Sequence, residues 1–149
     1  MRHPLDRGIR GSDRWGSGGF GAGRGDRKHA GVDYICKPGD VVVSPITGKV
    51  KRWGYCYSDP QWMSYRLVEI ASDAMVVRLL YMLPSVAVGN HVNEGDPLGI
   101  AQNIAARYPG MIPHVHVDLR PISGSGALRE KDGLPLAGRI YLNPAVMFD

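Results

Sequence analysis

Two cysteines in 149 residues are too few for a disulfide framework. Cys36 and Cys56 have at most one bridge between them, and a pair of small buried thiols is the plainer expectation. No apolar run approaches the roughly 20 residues that cross a bilayer, so no membrane span is predicted. The opening stretch, MRHPLDRGIRGSDRWGSGGFGAGRGDR, has basic side chains but no apolar segment of the kind a secretory signal needs. No signal peptide is therefore expected in it. Also missing are a C-x-x-C pair, a G-x-x-x-x-G-K-[ST] loop and a helix-turn-helix pattern. The net charge of +4 is then the only feature pointing towards nucleic acid, and charge alone does not select it. No nucleic-acid partner is expected. Cell-wall polymers and lipid headgroups suit the same charge, and so does a merely solvated surface.

What remains is an ordinary globular composition, 44% hydrophobic and 21% charged, of a length that suits one domain. Residues 1–28 read as a Gly/Arg-rich arm, because GSGGFGAGRG loses much backbone entropy on ordering. Residues 29–149 read as a single β-rich domain. DVVVSPITGKVKRW predicts two strands about Thr47-Gly48, and RLVEIAS with AMVVRLLYM predicts a pair about Ser72-Asp73. VAVGNHVNEGDPLGIA carries turns at Gly89-Asn90 and Gly95-Asp96. HVHVDLRP predicts a strand closed by Pro121. Only PLGIAQNIAARY is compatible with a short helix. Residues 122–138 read as a polar, Gly-rich loop, and RIYLNPAVMF is expected to dock on the core. The fold class is mainly β, a compact antiparallel sheet domain.

Two short stretches carry candidate chemistry. On a strand, His114 and His116 point to one face and Val115, Val117 and Leu119 to the other, with the imidazoles starting roughly 6–7 Å apart. Such a pair suits one histidine on a metal and one beside it; two histidines on a wet sheet face fit as well. In KHAGVD, His29 and Asp33 start about 13 Å apart on a straight strand. Ligands of one tetrahedral zinc lie about 3–3.5 Å apart, so the chain must bend between them, and Gly31 lies midway. Taken alone the pair also fits an ordinary surface. Taken together, two histidines and one aspartate leave a fourth position for water, as catalytic zinc sites do.

GFGAGRGDRKHAGVD, PGDVVVSPITGKV, VNEGDPLG and PHVHVD, in that order and with YLNP near the end, resemble the lysostaphin-type zinc endopeptidases, which cut peptide bridges of bacterial peptidoglycan. The resemblance implies a compact antiparallel β-domain with a groove over Zn2+. It implies His29, Asp33 and His116 as metal ligands and His114 as a catalytic residue, with peptidoglycan or its stem peptides as partner. A bacterial cell envelope, an extracellular wall or a virion is the implied setting, and the oligomeric state stays open. One departure stands out. The family has a second catalytic histidine in a Tyr-x-His segment, where this chain has Tyr81, Met82 and Leu83. The vertebrate chemotaxin branch looks similar in this part and is not credited with proteolysis. The alternative expectation is thus a zinc-stabilised, catalytically impaired peptidoglycan-binding or structural module. Three further residues lie near these motifs: Tyr108, which suits an oxyanion donor or plain packing equally; Asp118, which suits a support for one histidine or a solvated carboxylate equally; and His91, which a solvent-exposed turn explains better.

Overall fold

The computed structural model describes residues 1–25, 27–122, 133–136 and 139–148. Residues 1–28 contribute four short strands, β1 (Ser12–Asp13), β2 (Gly16–Ser17), β3 (Gly23–Arg24) and β4 (Arg27–Lys28). The body follows with β5 (Val32–Ile35), β6 (Val41–Val43), β7 (Gly48–Tyr55), β8 (Arg66–Ala71), β9 (Met75–Leu80) and β10 (Met82–Pro84). Then come β11 (His91–Val92), β12 (Pro97–Ala101), β13 (His114–Pro121), β14 (Leu134–Leu136) and β15 (Arg139–Tyr141). One turn of helix, α1 (Pro144–Met147), begins at an Asn143 cap and a proline at its first position.

A six-stranded antiparallel sheet runs β11-β7-β8-β9-β13-β5, and a three-stranded sheet runs β10-β12-β6. The period-two alternation places these strands. In β13, Val115, Val117 and Leu119 are fully buried, while the even-numbered residues face the opposite side. Val50, Val68, Ile70, Val77 and Leu79 join them in one apolar cluster with Val42, Met82 and Leu98 of the small sheet. Each such side chain removed from water contributes about 1.5–3 kcal/mol. The expected docking of the C-terminal stretch is seen in Leu142 and Phe148, both buried against this cluster.

The segment from residue 97 departs from its helical reading. Pro97–Ala101 is a strand between β10 and β6, and only Ile104–Ala106 turns, as a 3-10 helix. Leu98 and Ala101 are buried while Ile100 stands exposed, and pairing on both sides outweighs a weak local helix preference. Most of the polar loop expected at 122–138 lies outside the described residues; within it, Leu134–Leu136 pairs with β15. Both cysteines are free thiols: Cys36 is buried, Cys56 partly so.

A candidate metal centre

The register of β13 against β5 builds the site. His116 lies directly opposite Asp33, and His114 opposite Ile35. His29 enters from the bend before β5. Gly31 is needed there for space: a Cβ would meet the Val117 carbonyl and come within 2.7–2.8 Å of the His116 ring. Three donor atoms converge as a result. His29 Nε2 and His116 Nδ1 are 2.9 Å apart, His116 Nδ1 and Asp33 Oδ1 are 2.9 Å apart, and His29 Nε2 lies 3.2 Å from Asp33 Oδ1. The triangle is close to one face of a zinc tetrahedron, whose edges measure about 3.3 Å. Two imidazole nitrogens and one carboxylate oxygen are also the donor set that a borderline metal takes. The residues present fit the ion.

The histidine tautomers are set by acceptors that can only accept. His29 Nδ1–H is donated to the Gly19 carbonyl at 3.0 Å, which turns Nε2 towards the cluster. His114 Nδ1–H is donated to the Ile112 carbonyl at 2.8 Å, and its Nε2 faces Asp33 Oδ2 at 3.5 Å. Burial lowers the His114 pKa, so the ring is neutral at pH 7. His116 turns Nε2 towards Asp118 Oδ2 at 3.4 Å. Burial opposes its charge, but hydrogen bonds with Asp118 and Asp33 prevail and push it up to about 9. Asp33 is held well below the usual carboxylate range: burial works against the anion, and hydrogen bonds from His116 and His29 overcome it.

Further side chains complete the site. Arg10, 2% exposed, donates to Asp33 Oδ2 from Nε and Nη2 at 3.2 and 3.0 Å. Arg78, opposite Asp118 on β9, holds that carboxylate. No motif marks either arginine. Arg10 sits in a Gly-rich stretch with no informative spacing, and finding Arg78 requires the β9–β13 register. Asp118 is buried at 1% and faces His116, as a support for that histidine would. Tyr108 lines the groove with its hydroxyl 3.3 Å from that of Tyr57. His91 is exposed on β11 beside Asn93, and is not part of the groove. The groove holds about 380 Å³, and its walls include Trp15, Arg24, Lys28, Tyr81 and Met111. Leu83 is 49% exposed on β10 and does not line it.

Residues 27–128 match the family model described as Peptidase family M23. The chain belongs to peptidase family M23. Its fold is of the lysostaphin type. Among curated proteins it is similar to leukocyte cell-derived chemotaxin-2 of Mus musculus, 32% identical over 110 residues that cover 74% of this chain and 72% of that one. Myeloid protein 1 of Gallus gallus is 32% identical over 114 residues, covering 74% of this chain and 34% of the relative. Among solved structures, that of LytU superposes with a TM-score of 0.64 at 21% identity, covering 99% of this chain and 89% of the other. The antimicrobial peptidase lysostaphin from Staphylococcus simulans gives 0.60 at 16% identity; the match covers 89% of this M23 chain and about half, 48%, of lysostaphin.

Proposed function

We propose that this M23 chain is a zinc-dependent endopeptidase that hydrolyses peptide cross-links of bacterial peptidoglycan. The observation that carries the reading is the convergence of His29 Nε2, Asp33 Oδ1 and His116 Nδ1 at 2.9–3.2 Å beneath a groove. These three atoms would hold the ion. Zinc bound there supplies a Lewis acid for the scissile carbonyl and acidifies a bound water. His114 takes the proton of the attacking water at Nε2, because its Nδ1–H is already given to Ile112 and its ring is neutral at pH 7. It returns that proton to the departing amide nitrogen. Asp118 and Arg78 hold the His116 ring in place from behind. The cationic Arg24 and Lys28 on the groove wall favour an anionic substrate at a cell envelope, an extracellular wall or a virion.

One observation favours a second reading, a zinc-stabilised module that binds peptidoglycan without cutting it. Leu83 stands where the family resemblance places a catalytic histidine, and of the five histidines only His29, His114 and His116 line the groove. Loss of one such group typically lowers a rate by about 10²–10⁴. The zinc-loaded protein is to be incubated with purified sacculi and the new amino groups measured. Release by wild type that disappears in His114→Ala supports the enzyme. No release at one zinc per chain leaves the binding module.

A further inference from the structure

The arm closes on the free edge of β5 as a built part of the sheet. Ile35 N–H is donated to the Gly8 carbonyl at 2.9 Å, Arg10 N–H to the Asp33 carbonyl at 2.7 Å, and Ile9 bridges Tyr34. The chain then returns beneath itself. Gly18 N–H is donated to the Arg10 carbonyl at 3.1 Å, and Asp33 N–H to the Gly18 carbonyl at 2.9 Å. A Cβ on Gly18 would lie 2.6 Å from the Arg10 Cβ and 2.9 Å from the Asp33 Cβ, so these three residues are in direct contact.

A buried guanidinium needs partners on all its donors. Arg10 spends Nε and Nη2 on Asp33 Oδ2, and Nη1 on Asp13 Oδ2 and the Gly16 carbonyl, both at 2.8 Å. Asp13 Oδ2 in turn accepts the Ile112 N–H at 3.0 Å. The Ile112 carbonyl is the group that holds His114 Nδ1–H. One hydrogen-bonded chain therefore runs from Asp33 through Arg10, Asp13 and Ile112 to His114. Arg10 and Asp13 lie before the segment matched to the family, residues 27–128.

We infer that Arg10 is a positioning residue of the metal centre, supplied by the arm. Its fork occupies Asp33 Oδ2 and leaves Oδ1 facing His29 and His116, where an ion would be held, and Asp13 ties this arrangement to the backbone that orients His114. The inference rests on the reading that His29, Asp33 and His116 hold a metal. Without the fork, Oδ2 retains the longer contacts to His114 Nε2 at 3.5 Å and Arg24 Nη2 at 3.9 Å, which hold it less tightly, and both oxygens could turn to an ion and fill the position that water needs.

The test uses the full chain, stripped of metal and titrated with Co2+ in place of zinc. Arg10→Lys keeps the charge and removes the fork, which separates geometry from electrostatic repulsion of the cation. The expected result is cobalt binding weakened by about 10-fold or more in Arg10→Lys, as for other residues that orient a ligand from behind. Its visible ligand-field bands should also weaken as Asp33 becomes bidentate. Wild-type affinity and wild-type bands in Arg10→Lys overturn the inference. Should Arg10→Lys lose its near-ultraviolet circular dichroism, Gly18→Ala decides by the same readout, since it forces Arg10 and Asp33 apart and keeps both side chains. His116→Ala is the reference for the site itself. If wild type takes up no more cobalt than His116→Ala, the metal reading fails and this inference with it.

Discussion

Arg78 grips Asp118 with Nη2 at 2.7 Å and Nε at 3.0 Å, and Asp118 faces the outer nitrogen of His116 at 3.4 Å. The three residues form a relay on one face of the sheet, from β9 to β13. Arg78→Met should therefore act on the candidate metal centre without touching it. Asp118 is held below its usual range: burial works against the anion, and hydrogen bonds from His116 and Arg78 outweigh it. A depressed pKa contributes stability above about pH 4 that is lost as pH falls through the lower folded value. Removing Arg78 should cost about 1–3 kcal/mol in urea denaturation at pH 7 and weaken zinc binding by about 10–100-fold. An unchanged zinc affinity in Arg78→Met would show that His116 does not depend on this relay.

The pH dependence of the metal-free protein follows from His116. Its folded pKa is raised to about 9, so its contribution is complete below about 6.5, the unfolded value, and is lost as pH climbs through about 9. Metal-free wild type should lose stability between these limits, and His116→Gln should not. Zinc needs the unprotonated nitrogen, so binding at pH 7 should release close to one proton from this ring. Calorimetric titration in two buffers of different ionisation enthalpy measures that number. Release of no proton would contradict the assignment of His116 Nδ1 as a ligand.

Tyr81 packs edge-on against His114, with ring centroids 5.6 Å apart. It is also the one described residue other than glycine with a left-handed φ, 72°. Burial pushes its phenol up to about 12, so Tyr81→Phe should leave His114 titrating as in wild type. Tyr81→Gly relieves the backbone strain but opens the space beside the imidazole to water. The His114 pKa should then rise towards its ordinary value, because burial is what lowers it. Histidine ring resonances followed against pH in the metal-free protein decide the matter; no shift in Tyr81→Gly would mean that other neighbours keep His114 dry.

Leu79 lies fully buried between the sheets, on the face away from the site. Leu79→Ala should lower stability by about 2–5 kcal/mol through the cavity it leaves. Zinc stoichiometry at 25 °C should stay at wild-type level, measured on the folded fraction. Loss of metal at full secondary structure would instead tie the core to the geometry of the site.

The strand HVHVDLRP was legible because alternation is a local property. Successive side chains on an extended backbone must point to opposite faces, and three fully buried apolar residues at 115, 117 and 119 then leave His114, His116 and Asp118 together. The hairpin of β8 and β9 was legible for the same reason, with the turn at Ser72-Asp73 between two apolar runs. The ordered motifs also marked His29 and Asp33 through their resemblance to a family. The segment after Pro97 was less readable, since a five-residue apolar run fits a strand or a helix until its neighbours are known.

Local pattern, then, determined the β character of the chain, the two faces of β13 and the residue types able to bind a metal. Tertiary structure alone decided that Asp33 would sit opposite His116, that Arg10 from a glycine-rich arm would be buried against Asp33, and that Arg78 would meet Asp118. Register between strands distant in sequence is set by the closing of a whole sheet and the filling of one core. A guanidinium, likewise, finds its carboxylate only when both have left the water, and no spacing along the chain records that event.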